Sequence, residues 1–454
     1  MTSEIYGPWT LFTDFSMIFG LILIGKLIRV KVKFIQKLFI PPSLIAGFLG
    51  LALGPNGFDL LPFSNHLGTY SAVLIALVFG ALPLSSPKFT VKEVAGRVGP
   101  IWAFAQLGML LQWSLMGLFG LFVLNIIWPQ LNPAFGVMLP TGFYGGHGTA
   151  AAIGTAFEGL GWDEARSLGM TTATVGIVFA IIMGLIMIKR AARRGDTSFI
   201  KDFSELPDDL RSGLTPPGKR ESAGMSTTSS ISIDSLAFHL AFVFVIAFLG
   251  YLISQGVKSV SPKLEIPVFS ASFIVGLILK KIFDPTKVSD YICPGQINRL
   301  SGTFTDLLVA CGVASIKLSV VVKYAIPLII LILTGVLVVW IITFVLGKIL
   351  CRTYWFERSI FAWGWWTGTM AMGIALLRIV DPKLESKAMD DYAMAYLPIA
   401  PVEILLITFV PVLFMSGYGL WLLLAALALS ALIIILARRV GWWNYKKKIV
   451  RAHV

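Results

Sequence analysis

Eleven separated apolar runs, each of a length suited to crossing a bilayer, constrain this chain of 454 residues more than any other feature. They lie near 10–28, 38–54, 69–85, 99–127, 167–188, 235–254, 264–281, 303–320, 325–350, 390–416 and 418–438. A bilayer's hydrocarbon core is about 30 Å thick and asks for roughly 20 apolar residues per helical crossing. Hydrophobic residues make up 56% of the chain and charged ones only 13%. A soluble domain carries about 25% charged residues. Lipid must therefore be part of the solvent, and in lipid only helices or a closed barrel satisfy every backbone polar group. Long unbroken runs, rather than ten-residue alternating strands, select helices. The fold class expected is all-α integral membrane.

Two further apolar stretches, 134–160 and 360–380, are glycine-rich and interrupted. Read as re-entrant hairpins rather than full spans, they let the basic loops sort to one side. That side then holds Arg29, Lys31, Lys33, Lys37, Lys88, Lys92, Arg97, Lys189, Arg190, Arg193, Arg194, Lys280 and Lys281. The tail adds Arg438, Arg439, Lys446, Lys447, Lys448 and Arg451, while the opposite side carries only Arg166, Lys258, Lys263 and Lys323. Positive charge marks the cytoplasmic face, so the N-terminus is expected outside and the C-terminus inside a cell inner membrane or plasma membrane. The net charge of +13 is accounted for by these loops and does not call for nucleic acid. The opening MTSEIYGPWTLF lacks a basic start and a cleavage site after its apolar run, so the first run reads as a retained helix. The cysteines Cys293, Cys311 and Cys351 form no disulfide framework or zinc spacing.

The two halves of the chain share landmarks. IPPSLIAGFLGLAL (40–53) parallels IPVFSASFIVGLIL (266–279), Gly68-Thr69 parallels Gly302-Thr303, and Gly148-Thr149 parallels Gly368-Thr369. The order is kept, at spacings of 226, 234 and 220 residues. Five spans and one hairpin per half turn the second half upside down. The expected domains are a first repeat at 1–188, a cytoplasmic linker at 189–234, an inverted second repeat at 235–416, and an extra span with a basic tail at 417–454. Inverted repeats with broken helices that meet at mid-membrane are a hallmark of secondary transporters. No G-x-S-x-G, H-E-x-x-H or pair of facing aspartates points to an enzyme.

The hairpin tips carry the candidate chemistry. Gly145, Gly146, His147, Gly148 and Thr149 form the first, and Thr367, Gly368 and Thr369 the second. Glycine admits tight or left-handed backbone, and a helix starting at such a turn offers bare N–H groups to an anion. Carbonyls and threonine hydroxyls there suit sodium. The bland reading, glycines that merely permit close helix packing, is outweighed by two matched runs at matched positions. His147 either donates to a carboxylate or holds the turn as a neutral hydrogen-bonding residue, and the second role is preferred. Asp306, Thr303, Thr171 and Glu403 are candidate sodium ligands. The two acids are singled out because charge inside a bilayer is costly. Arg378 is expected to pair with Asp381 or to snorkel.

The stretch YGGHGTAAAIGTAFEGLGW (144–162), with its G-G-H-G-T segment, and the Ile-Pro-Pro at 40–42 resemble the bacterial glutamate:sodium symporter family. GWWTGTMAMG (364–373) departs from that family's second segment, so the second-tip residues rest on the internal repeat. The resemblance implies sodium as coupling ion, a small anionic glutamate-like substrate and a homodimer. It also implies elevator-like movement of a hairpin-bearing bundle against a scaffold, to which 99–127 and 325–350 are assigned. The alternatives are transport of another organic anion with proton coupling, a channel, and an intramembrane enzyme.

Overall fold

The computed structural model describes residues 6–37, 40–85, 98–199, 214–215, 218, 222, 224–260, 267–351, 353–381 and 384–443. Ile266, most of 200–223 and several of the basic residues used above (Lys88, Lys92, Arg97, Lys263, Lys446, Lys447, Lys448 and Arg451) lie outside the described residues. Among the described residues no strand occurs.

The first half contributes α1 (Pro8–Lys31), α2 (Pro42–Leu53), α3 (Leu67–Ser85), α4 (Gly99–Ile127), α5 (Met138–Phe143), α6 (Gly146–Gly159) and α7 (Ala165–Arg194). The second contributes α8 (Ser235–Val260), α9 (Val268–Phe283), α10 (Pro294–Ala314), α11 (Ala325–Leu350), α12 (Trp355–Thr367), α13 (Met370–Val380), α14 (Ala388–Met415) and α15 (Gly419–Arg439). Eight described helices are long and apolar enough to cross a membrane. The eleven runs find helices too, but three of these fall outside the eight. Helix α2 has 12 residues, about 18 Å at 1.5 Å per residue. It starts at a proline and ends at Gly54. Helix α9 has 16 residues. Helix α10 begins at Pro294, well before the predicted 303, with the polar stretch PGQINRLSGTFTD. Asp306 is therefore mid-helix, not near a helix start. Helix α4 contains a π turn at Gly120–Leu124 and α11 one at Ile342–Leu346, each near the end that leads into a broken helix pair.

The helices sort into two compact units, and each unit draws on both halves of the sequence. The first comprises 1–31, 41–88 and 214–318, hence α1, α2, α3, α8, α9 and α10. Helix α3 is its hub, packing on α8, α9 and α10. A buried acid ties its periphery. Asp14 on α1 accepts hydrogen bonds from the Ser64 amide (2.9 Å), the Ser64 hydroxyl (2.5 Å) and the Tyr70 hydroxyl (2.8 Å). Buried His239 accepts from the Cys293 amide at 2.7 Å, which pins the start of α10 to α8.

The second unit comprises 32–40, 89–213 and 319–454. It holds both broken pairs, together with α4, α7, α11, α14 and α15. The sequence reading assigned 99–127 and 325–350 to a scaffold apart from the hairpins. Within this unit α4 packs on α14 and α15, and α4 and α11 each also touch α5 and α12. Glycines permit this approach: a methyl on Gly108 would run into the Trp366 ring, and one on Gly335 into Leu139.

Outside the apolar helices of this unit, Lys323 donates to Glu164 at 2.9 Å and the Tyr324 hydroxyl to the same oxygen at 3.3 Å. The Lys323 hydrogen bond holds the Glu164 carboxyl below its ordinary range. A depressed carboxylate stabilises the fold above its unfolded pKa of about 4.3 and loses that contribution as pH falls through the folded value. Lys323→Met is therefore expected to lower the thermal midpoint at neutral pH. The gap should close on acidification below the ordinary glutamate range and shrink in high salt, as read by melting curves across pH.

Candidate functional site

Both predicted hairpins are broken helices, and their turns meet. Helix α5 ends at Phe143, and the Tyr144 and Gly145 amides both return to the Pro140 carbonyl at 3.1 and 3.2 Å. Gly146 then takes φ +62°, a left-handed conformation that glycine adopts without penalty, and α6 starts there. No side chain caps α6, so its first amides keep the open donors of a helix start. On the other side α12 stops at Thr367, Gly368 adopts φ −137° and ψ −94°, and α13 starts at Met370. A Cβ on Gly146 would lie 3.2 Å from the Gly368 carbonyl oxygen and 3.5 Å from Thr369 Cγ2. Tyr144 and Trp365 add a second bridge, their rings 5.6 Å apart.

Neighbouring helices fix both turns. The Thr172 hydroxyl of α7 donates to the Met138 carbonyl at 2.8 Å, and Trp363 Nε1 of α12 to the Ala180 carbonyl of α7 at 3.0 Å. Gln112 Nε2 of α4 reaches the Trp366 carbonyl at 3.2 Å. The packing role of glycine also occurs here, since a methyl on Gly364 would sit 2.7 Å from Gly373 Cα, between the two arms of the second pair.

Of the predicted site residues, Gly145, Gly146, His147, Gly148, Thr149, Thr367, Gly368, Thr369, Thr171 and Glu403 all fall in the second unit. His147 is buried, with Nε2 3.0 Å from the Thr174 hydroxyl and Nδ1 without a partner. That bond fits the turn-holding role. The Thr367 hydroxyl donates to Trp363 O at 2.6 Å and the Thr171 hydroxyl to Ser167 O at 2.7 Å, which leaves each oxygen its lone pairs. Thr369 caps α13 by accepting from the Met372 amide at 3.3 Å. Asp306 and Thr303 belong to the first unit, where Thr303 donates to the Arg299 carbonyl and Asp306 meets the Ser43 hydroxyl. The expected Arg378–Asp381 pair does not form. Asp381 instead accepts the Glu385 and Ser386 amides at 2.9 and 2.8 Å, closing the turn before α14.

The predicted Glu403 and several residues beyond the sequence reading surround the turns. Glu403 on α14 is buried beside the Tyr396 hydroxyl and within electrostatic reach of Tyr144. Trp365 packs against Tyr392 and Tyr396, at ring distances of 5.9 and 5.5 Å. A four-residue interval from Tyr392 to Tyr396 on one helix face was the available signal. The buried amides Gln106 and Gln112 on α4 are further polar groups, with Gln106 and the Gln112 carbonyl oxygen unpartnered.

Apolar helices that span, paired broken helices and buried polar turns between them define a multi-pass membrane transporter. A family model described as sodium/glutamate symporter matches residues 10–373, which include both turns. The chain belongs to the sodium/glutamate symporter family, a family of transporters and not of enzymes. A comparison with curated proteins returned no match.

Proposed function

We propose that the protein is a sodium-coupled symporter of glutamate or a similar small carboxylate, with the paired turns as its binding site. The observation that carries this is the approach of Gly146 to the Gly368 carbonyl, which brings a helix start from each half of the chain to one place. The open amides of α6 favour an anion. Carbonyls of the two turns, with the oxygens of Thr149, Thr367 and Thr171, supply hard ligands for sodium. Ion and solute then stabilise one shared state, each shifting the equilibrium by its differential affinity.

In this reading the halves form an inverted repeat of five spans and a hairpin each, with α15 extra. The matching π turns before each broken pair favour the repeat. The N-terminus lies outside and the C-terminus in the cytoplasm. The unit carrying the turns moves in elevator fashion within a homodimer. The test is uptake of radiolabelled glutamate into proteoliposomes. A sodium gradient is expected to drive accumulation, which collapses when potassium replaces sodium. Uptake indifferent to the gradient would defeat the coupling.

A further inference from the structure

A buried acid on which no basic side chain acts among the described residues calls for a cation from elsewhere. Glu403 is 8% exposed, and its Oε2 has no partner among the described residues. The groups acting on its carboxyl are burial and the Tyr396 hydroxyl, with no basic side chain among them. The Tyr144 hydroxyl, also buried and unpartnered, belongs to the residue immediately before Gly145, two before Gly146. The tyrosine rings pack with further aromatic residues. Trp365 lies 5.6 Å from Tyr144, 5.5 Å from Tyr396 and 5.9 Å from Tyr392. Phe361 closes on Tyr392 at 4.6 Å. Pro398 and Pro401 have no N–H to offer the carbonyls of residues 394 and 397, so these acceptors also lack their usual helical donors.

The character of this pocket of groups selects the cation. Sodium asks for several hard oxygens at short range, which the carbonyls and threonine hydroxyls of the turns offer, whereas the residues that frame Glu403 are aromatic. An ammonium has three N–H donors and is attracted to aromatic faces. One carboxylate, two phenol oxygens and a ring of aromatics match that donor set. Resting on the glutamate reading above, we infer that Glu403, framed by Tyr144, Trp365 and Tyr396, receives the substrate's ammonium group. The two turns then take the carboxylate end. Glu403 is thus the residue that distinguishes an amino acid from a plain dicarboxylate, and its sequence role as a sodium ligand is reassigned.

The experiment compares L-glutamate with glutarate, which has both carboxylates and no amine. Each competes against radiolabelled glutamate uptake into proteoliposomes under an inward sodium gradient, and each is added with and without sodium in a thermal-shift assay of the full chain. Wild-type protein is expected to prefer glutamate by at least about tenfold, the factor that 1.4 kcal/mol supplies. Glu403→Gln is expected to erase that preference while the shift produced by sodium alone persists. Tyr396→Phe, which keeps the ring, is expected to narrow the preference without removing it, and serves if Glu403→Gln does not fold. Equal response of the wild type to both acids overturns this inference and leaves the transporter reading standing. Loss of the sodium-only shift in Glu403→Gln overturns it in favour of a sodium ligand. No sodium-dependent response to either acid overturns both.

Discussion

Replacing Gly146 with alanine is expected to reduce sodium-driven uptake by roughly tenfold or more while leaving the protein folded in the membrane. Two costs combine. The residue sits at φ +62°, where an L-side chain costs roughly 1–2 kcal/mol. The new methyl would also stand 3.2 Å from the Gly368 carbonyl oxygen and 3.5 Å from Thr369 Cγ2, so the turns must part by a few tenths of an ångström. A shift of that size at a site built from backbone amides and carbonyls misplaces the ligands for both solute and ion. Strain of roughly 1.4 kcal/mol falling on the bound state alone is a tenfold loss of affinity. Gly161 supplies the control. It has φ +96°, yet a methyl there meets nothing within 4 Å. Gly161→Ala should show the backbone cost in a melting curve and near-normal uptake. Equal loss of uptake in both variants would refute a special role for the meeting of the turns.

The second large effect is on stability. Asp14→Ala is expected to destabilise the first unit by roughly 3–5 kcal/mol, the sum of leaving three buried donors unsatisfied at roughly 1–2 kcal/mol each. The change strands three donors, the Ser64 amide, the Ser64 hydroxyl and the Tyr70 hydroxyl, in a setting where Asp14 is 1% exposed. It also frees the 54–66 segment from α1. Tyr70→Phe removes one bond and keeps the ring, so it should cost roughly 1–2 kcal/mol. Thermal unfolding in detergent would check the ranking. A loss under 1 kcal/mol for Asp14→Ala would show that water or lipid headgroups satisfy those donors instead.

Asp14 also shows where sequence reading stops. It is the only charged residue between 10 and 25, and an acid in an apolar run is a site candidate by default. Its partners lie 50 and 56 residues further on, at a loop and in the next-but-one helix, a pairing no local pattern announces. Asp306 erred the opposite way. Its apolar neighbours on the C-terminal side suggested a helix start, but a polar stretch from Pro294 is helical as well, because α3 and α2 pack along it. The turns were legible because glycine and threonine in a long apolar run mark a break that a continuous helix would not need. The four-residue spacing of Tyr392 and Tyr396 was visible, but neither their role nor that of the two amides on α4 was, since their importance comes from what faces them.

The amino-acid order alone determined that the chain lives in lipid, that it is helical, that two apolar stretches break at glycines, and which family it resembles. These follow from hydropathy and backbone sterics, which act over a few residues to one helix length. Tertiary structure alone decided that the two breaks meet, that each compact unit mixes both halves, that Asp14 is satisfied, and that Glu403 stands beside the turns with no basic side chain acting on it among the described residues. Those facts depend on contacts between residues tens to hundreds of positions apart, and such contacts are chosen by the packing of whole helices rather than by any stretch of chain.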